Sequence, residues 1–180
     1  ALGWLEPLRA PISGALRGGI GEGGEMLPVS ATLGIGEGVL QPTEATRPIP
    51  FHGARSYFTF DPANDQLTFQ ELSFDSAWGS GSVEGRAWIE GLEEGRLDAL
   101  TGQFAVGALT LNPADVYPAP LELTGAHAEF RLRLHPFELT LGEALIHDGD
   151  NPVRLDGRLR ATPLGWRYAI NGRIGEIEAA

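Results

Sequence analysis

Apolar and polar residues alternate along most of this chain. Within 83–90 the odd positions are Val, Gly, Ala and Ile, whereas the even positions are Glu, Arg, Trp and Glu. The same alternation recurs in 102–108, 128–134, 153–159 and 166–174. A period of two places every second side chain on the same side of an extended strand, so these runs predict strands with one apolar face.

Turn sequences separate the alternating runs, most clearly at 61–65 (DPAND) and 148–151 (DGDN). The 25 glycines and 13 prolines are spread throughout, which leaves few segments in which a helix can form. The best helix candidate is 91–100, although it carries Gly95 in its middle. Amphipathic strands joined by short turns predict an all-β fold of repeated antiparallel strands.

The chain also repeats itself with an offset of 72 residues. Residues 67–75 read LTFQELSFD and 139–147 read LTLGEALIH, and Gly85 in VEGR is matched by Gly157 in LDGR. Two copies of a multi-stranded unit are predicted, approximately 31–102 and 103–172, within one fragment, 1–180, of a longer repeat protein. Residues 169–174 resemble 99–104 and suggest the start of a third copy. Such repeats favour an elongated sheet, while duplication inside a closed barrel or sandwich stays open as an alternative.

Glycine recurs on the apolar side of the predicted strands, each time after a polar residue. The pairs are Ser13-Gly14, Glu84-Gly85, Thr101-Gly102, Thr124-Gly125, Asp156-Gly157 and Asn171-Gly172. Glycine weakens a strand, so its repetition on one face indicates bending or a close approach by another group. A sheet that curls around a lumen would meet both needs, whereas bulge or corner glycines facing a filled core are the alternative.

Charge and composition exclude several classes of partner. Thirteen arginines against 24 acidic residues give a net charge of −11, which argues against nucleic-acid binding and against adhesion to anionic lipid headgroups. The chain lacks cysteine, which excludes disulfides and thiolate chemistry. No stretch approaches the ~20 apolar residues of a membrane span.

One glycine-rich segment, GGIGEGGE at 18–25, fits the dinucleotide fingerprint G-x-G-x-x-G. That fingerprint requires a helix directly behind it, because the first N–H groups of the helix face the pyrophosphate. Residues 26–34 instead predict a short extended run, and Glu22 and Glu25 would repel a phosphate. The segment is therefore predicted to be a loop of a β protein, and no nucleotide cofactor is expected.

Candidate catalytic or metal-binding constellations are weak. None of the four histidines is spaced as a metal ligand pair, and the chain has no HExxH motif. The acidic turn with Asp148, Asp150 and Asn151 could bind calcium weakly, but a plain Asp-Gly turn is favoured. No nucleophile, base and oxyanion donor come together, so the sequence predicts no enzyme, no metal and no cofactor.

The run from about 31 to 174 resembles the middle domain of AsmA-like proteins of the YhdP/TamB type from Gram-negative bacteria. The resemblance rests on the LTFQELSFD and LTLGEALIH units, the phrases VEGRAWI and LDGRLRA, and the tail ATPLGWRYAINGRIGEI. It implies a periplasmic protein, anchored to the inner membrane by a segment that is not in this chain. It also implies repeated sheets that curl into an elongated groove with an apolar interior, which moves phospholipids between the inner and outer membranes.

The resemblance implies that this chain is a lipid-binding segment of a bridge-like conduit. Its partners would be phospholipid acyl chains, with membranes contacted by parts outside the fragment. The residues expected to line the groove are Phe58, Phe60, Leu67, Phe69, Val83, Ala87, Phe130, Leu132, Leu139, Leu141, Leu155 and Leu159. The alternative is a structural or protein-binding β domain with a filled core, in which the same residues pack against a second sheet.

Overall fold

A computed structural model describes residues 8–93, 96–112, 118–148 and 151–174. These residues form no helix, and the all-β prediction is confirmed. The strands are β1 (Leu8–Arg9), β2 (Ile12–Arg17), β3 (Val29–Ile35), β4 (Gly38–Leu40), β5 (Ile49–Asp61), β6 (Gln66–Ser76), β7 (Gly79–Glu93), β8 (Arg96–Leu111), β9 (Leu121–Leu134), β10 (Phe137–Asp148), β11 (Asn151–Thr162) and β12 (Gly165–Ile174).

All twelve strands belong to one antiparallel sheet that does not close into a barrel. From β5 to β12 each strand pairs with the next strand along the chain, as expected for consecutive antiparallel hairpins. Both β3 and β4 pair with β5, and they carry β2 and β1 on their other sides.

Two hairpin turns use the same hydroxyl motif. Ser76 Oγ donates to Gly79 O at 2.8 Å and accepts from Trp78 N at 3.3 Å. Thr162 Oγ1 donates to Gly165 O at 2.8 Å and accepts from Leu164 N at 3.2 Å. Each side chain thereby satisfies two backbone groups of a two-residue turn.

The best helix candidate, 91–100, is not a helix, because this segment belongs to the β7–β8 hairpin. Leu92 pairs with Leu97 and Glu93 with Arg96, so the local apolar residues close a hairpin. The segment 18–25 is the loop between β2 and β3, as predicted. It is closed by hydrogen bonds from Gly21 N to Glu25 O, 2.8 Å, and from Leu27 N to Gly19 O, 3.0 Å, and a strand follows it.

The 72-residue offset reappears in the strand register. Phe58 pairs with Phe69 as Phe130 pairs with Leu141, and Phe69 pairs with Gly85 as Leu141 pairs with Gly157. Both copies then carry a β-bulge, at 70–71 in β6 and at 142–143 in β10. Residues 54–89 and 126–161 therefore share one strand order and one register.

The resemblance of 169–174 to 99–104 does not extend to the register. Gly102 lies opposite Ala87, whereas Gly172 lies opposite Leu155. The β11–β12 hairpin closes at Thr162, which corresponds to position 90 (162 − 72), while the β7–β8 hairpin closes at Glu93. The earlier turn shifts β12 along β11, so the sequence match is not a structural equivalence.

The sheet is a single layer that curves strongly. Every extensive contact between strands joins hydrogen-bonded neighbours, and within the described ranges no second sheet or helix covers either face. The accessible surface is 11724 Å², against ~8,400 Å² for a compact globule of this mass. The difference is what an uncovered sheet produces.

Candidate functional site

One face of the sheet is apolar across all the major strands. Cross-strand partners share a face, so the register identifies which side chains lie together. One continuous row contains Ala31, Phe58, Phe69, Gly85, Phe104, Ala128, Ala144, Leu155 and Gly172. The next row contains Val29, Phe60, Leu67, Ala87, Gly102, Phe130, Leu141, Gly157 and Ile170.

The opposite face is polar. One of its rows runs through Thr68, Arg86, Gln103 and Glu129, and Gln103 Nε2 donates to Glu129 Oε1 at 3.0 Å. The sheet is therefore amphipathic throughout. Its outer side is solvated, and its other side is apolar and is stabilised by contact with apolar groups.

Phenylalanine rings form a ladder across the apolar face. Phe58 and Phe69 have ring centroids 5.6 Å apart, as do Phe69 and Phe104. Phe104 stacks on Phe130 at 4.6 Å with an interplanar angle of 7°. These rings link β5, β6, β8 and β9 without a second layer, and each pair contributes about 0.5–1.5 kcal/mol beyond its area burial.

Glycines leave the space that the ladder needs. Gly85 lies between Phe69 and Phe104 in its row, and a Cβ there would lie 2.8 Å from Phe104 Cδ1. A Cβ at Gly102 would lie 2.9 Å from Phe130 Cε1. At Gly85 and Gly102 the predicted close approach is thus made by rings of the same sheet, whereas a Cβ at Gly125 would meet nothing within 4 Å.

All twelve residues predicted to line a groove lie on the apolar face. Phe58, Phe69 and Leu155 are in the first row, and Phe60, Leu67, Ala87, Phe130 and Leu141 are in the second. Leu132, Leu139 and Leu159 form a further row with Leu100, and Val83 lies between Leu72 and Val106.

The twelve residues differ in solvent exposure. Ala87 is fully buried and Phe130 is 9% exposed, because neighbouring side chains close over them. The other ten are half-buried. Ala87 therefore packs within the sheet and offers no surface to a ligand, while the ten half-buried side chains keep accessible apolar area.

Phe104 is the main residue of this face that the predicted set lacks. It stacks on Phe130, contacts Phe69 and covers Gly85. Its place in the alternating run 102–108 was the available signal, since it has the parity of Gly102 and Val106.

The repeat-equivalent residues Val83 and Leu155 pack against one buried cluster. That cluster consists of Val106 and Ala126, on β8 and β9. Leu155 lies on β11, two strands beyond β9, so curvature of the sheet brings it inward. The apolar face is consequently concave at this point.

A second inward contact, which we call the aromatic clasp, consists of Trp78, Phe137, Trp166 and the carbonyl of Arg47. The ring centroids of Trp78 and Trp166 are 6.0 Å apart, and those of Phe137 and Trp166 are 5.7 Å apart. Trp78 and Trp166 are separated by at least five strand spacings, ~24 Å in a flat sheet. The clasp therefore fixes the curvature.

A carboxylate on the polar face is held by an ion pair. Arg131 Nη2 and Nε donate to Glu90 Oε2 at 2.6 Å and 3.1 Å, and Thr101 Oγ1 donates to Glu90 Oε1. The hydrogen bonds from Arg131, and then that from Thr101, lower the pKa of Glu90. This arrangement ties β7, β8 and β9 together on the solvent side.

Ser56 is a polar exception on the apolar face. It lies between Leu33 and Leu72, is 7% exposed, and its Oγ has no hydrogen-bond partner. The repeat-equivalent position in the second unit is Ala128. A buried hydroxyl without a partner costs about 1–3 kcal/mol.

A surface depression of 740 Å³ opens on the polar face. Glu84, Arg86, Gln103 and Glu129 surround it, with charges of both signs that are open to solvent. Across the described ranges no three His, Asp or Glu side chains are placed to hold a metal ion. The acidic turn proposed for calcium includes Asp150, which lies outside the described residues.

The part of the chain that the structure describes contains no helix that could cross a membrane. Comparisons of the chain with protein-family models, with curated proteins and with solved structures find no match.

Proposed function

We propose that this chain is a lipid-binding segment of a periplasmic, bridge-like conduit that moves phospholipids between the inner and outer membranes. The observation that carries the proposal is the continuous apolar face of a sheet that has no second layer over it within the described residues. An anchor in the inner membrane, outside this chain, belongs to the same proposal.

Acyl chains fit such a face because burial of each CH₂ contributes about 0.8 kcal/mol. The ten half-buried side chains of the predicted lining provide apolar surface for them. The polar face keeps the outside of the sheet solvated, and a headgroup can stay in water. Movement along an apolar surface down a gradient requires no catalytic residue.

The alternative, a β domain with a filled core, requires apolar side chains from two facing layers. Inward contacts between distant strands are present at Leu155 and at the aromatic clasp. They join curved parts of one sheet, and the ring ladder is formed by side chains of that same sheet. This arrangement favours the lipid-binding proposal.

Site-specific photocross-linking tests the proposal with a matched pair of neighbours. Leu139 and Thr140 are consecutive on β10, both half-buried, and their side chains lie on opposite faces. A photoreactive amino acid at 139, in protein isolated from a Gram-negative envelope, should capture phospholipid, whereas the same group at 140 should capture little. Absence of lipid at 139, or equal capture at both positions, would refute the proposal.

A further inference from the structure

Trp88 places a large aromatic ring on the polar face, in the middle of the sheet. It lies on β7 between Gln66 of β6 and Thr101 of β8, and it is 40% exposed. Because β7 is paired on both sides, the strands at the edges of the sheet do not determine this exposure. A single exposed apolar side chain is ordinary, so its surroundings decide whether it marks a site.

The polar groups beside this indole are held in fixed positions. Two hydrogen bonds, of 2.6 Å and 3.1 Å, join the guanidinium of Arg131 to Glu90, and Gln103 Nε2 donates to Glu129 Oε1 at 3.0 Å. The amide oxygen of Gln103, the second carboxylate oxygen of Glu129 and Nη1 of Arg131 keep capacity for further hydrogen bonds. Groups that are already ordered lose less conformational entropy when a ligand binds.

A depression of 280 Å³ brings the ring and these polar groups together. Its lining includes Trp88, Gln103, Glu129 and Arg131. Gly142, at the β10 bulge, lines it as well and has no side chain to occupy the space. The depression adjoins the one of 740 Å³, with which it shares Gln103 and Glu129.

Two departures from the 72-residue repeat meet in this depression. The position equivalent to Trp88 in the second unit is Arg160, and the position equivalent to Gly142 in the first unit is Gln70. Both units nevertheless share strand order, register and bulge. The architecture therefore requires neither Trp88 nor Gly142, and their meeting at one place indicates a ligand.

The chemistry of the depression selects the class of ligand. The face of an indole is apolar and suits the C–H face of a sugar ring, while carboxylate, amide and guanidinium groups bond its hydroxyls. An acyl chain would leave those polar groups without partners. A phosphate would be repelled, because Glu90 neutralises Arg131 and Glu129 adds a negative charge.

We propose that the depression beside Trp88 binds a neutral hexopyranose, with the sugar ring on the indole and its hydroxyls bonded to Gln103, Glu129 and Arg131. The site lies on the face opposite to the proposed lipid-binding face, so this inference does not rest on the lipid proposal. A glycan chain and the terminal sugar of a glycolipid headgroup share this chemistry.

Titration of lipid-free, ¹⁵N-labelled protein tests the proposal by NMR. The reporter is the indole Nε1–H signal of Trp88, which is assigned by its absence from Trp88→Phe. The probes are two tetrasaccharides, chitotetraose and maltotetraose, and two monosaccharides, N-acetylglucosamine and methyl glucoside. At least one probe should shift the signal saturably, with a dissociation constant of about 0.1–10 mM, as expected for an open site.

The same titration distinguishes the two sources of the sugar, and either result supports the proposal. A tetrasaccharide that binds at least about tenfold more tightly than its monosaccharide would identify a glycan chain that extends into the adjoining depression. Equal affinity for the two would identify a single terminal sugar, as in a glycolipid headgroup.

Gly142→Gln is the decisive variant, because it places in the depression the side chain that the β6 bulge carries at Gln70. It should weaken binding by at least about tenfold. Gln103→Ala removes a hydroxyl partner and should also weaken binding, so the test does not depend on one variant. Tyr57→Ala is the matched control and should bind as the parent does, since Tyr57 is 38% exposed on the polar face of β5, outside this depression.

Circular dichroism checks that each variant is folded. Absence of a saturable shift with all four probes would overturn the proposal. Affinity that is the same in the parent and in the folded depression variants would overturn it as well.

Discussion

The indole Nε1 of Trp166 donates a hydrogen bond of 2.8 Å to the carbonyl oxygen of Arg47, 119 positions earlier in the chain. Trp166 also contacts Trp78 and Phe137, so the start of β12 is held against the loop before β5 and against the β6–β7 turn. This clasp joins parts of the sheet that share no backbone ladder. It accounts for the curvature of a sheet that has no covering layer in the described residues.

Trp166→Phe should lower the free energy of unfolding by about 1 kcal/mol, because it removes the hydrogen bond to Arg47 and leaves that carbonyl without its donor. Urea denaturation followed by circular dichroism measures the loss. Trp88→Phe is the control, since Trp88 is 40% exposed and lies on the polar face, and its effect should stay below about 0.5 kcal/mol. Equal losses of unfolding free energy in the two variants would show that the aromatic clasp does not contribute to stability.

Gly85→Ala should destabilise the chain by about 1–3 kcal/mol, because the new Cβ would collide with Phe104 and with the carbonyl oxygen of Gln103. The matched control is Gly142→Ala, where the nearest atom to a new Cβ is Glu129 Cβ at 3.7 Å. That change should be neutral, or stabilising by about 0.4–1 kcal/mol. Denaturant unfolding of both variants checks the contrast, and tolerance of alanine at 85 would contradict the packing of the ring ladder.

Val83→Asp and Leu155→Asp should each weaken folding by about 1–3 kcal/mol, because both side chains are half-buried against Val106 and Ala126. The fold should survive this loss, since domains have stabilities of ~5–15 kcal/mol. Capture of phospholipid by cross-linking should fall, because a carboxylate beside acyl chains is poorly solvated.

Ser82→Asp is the control for these two variants, since it adds a charge beside Val83 on the polar face. It should retain both stability and lipid capture. Failure of Val83→Asp and Leu155→Asp to fold would favour a filled core, whereas folded variants that capture lipid like the parent would exclude both residues from the lining.

The Glu90–Arg131 ion pair should make stability depend on pH. The pKa of Glu90 is lowered in the folded state, chiefly by the hydrogen bonds from Arg131, and lies below its unfolded value of ~4.3. The pair therefore contributes its full stabilisation above that value and loses it as the pH falls through the folded-state pKa.

A double-mutant cycle with Glu90→Gln and Arg131→Gln measures this contribution as a coupling free energy. The coupling should be favourable at neutral pH and should weaken as the pH falls below the ordinary carboxyl pKa of ~4.3. A coupling that stays constant over this range would show that the charge of Glu90 plays no part.

The sequence was sufficient for the strands and for the apolar face, because a strand side chain has only two sides to choose between. In 67–75 the apolar parity changes between Phe69 and Leu72, and that change corresponds to the bulge at 70–71. The same change between Leu141 and Ala144 accounts for the bulge in β10. The sequence repeat therefore indicated the register of the strand pairs as well as their residue composition.

Other features depend on contacts that local pattern does not encode. The 91–100 segment was the best helix candidate because its apolar spacing does not reveal that Leu92 pairs with Leu97. The contact between Trp78 and Trp166 depends on accumulated curvature over several strands, to which each residue contributes little. Burial of Ala87 within the predicted lining likewise depends on neighbouring strands, since Leu67 lies opposite it on one side and, on the other, Gly102 leaves room for the ring of Phe130.

Native mass spectrometry of the chain, freshly purified without detergent from a Gram-negative periplasm, measures directly whether the apolar face holds phospholipid. We expect a population heavier than the bare chain by the mass of one or more phospholipids, and this population should diminish in Val83→Asp and persist in Ser82→Asp. Detection of only the bare chain, under conditions that preserve known lipid–protein complexes, would contradict it.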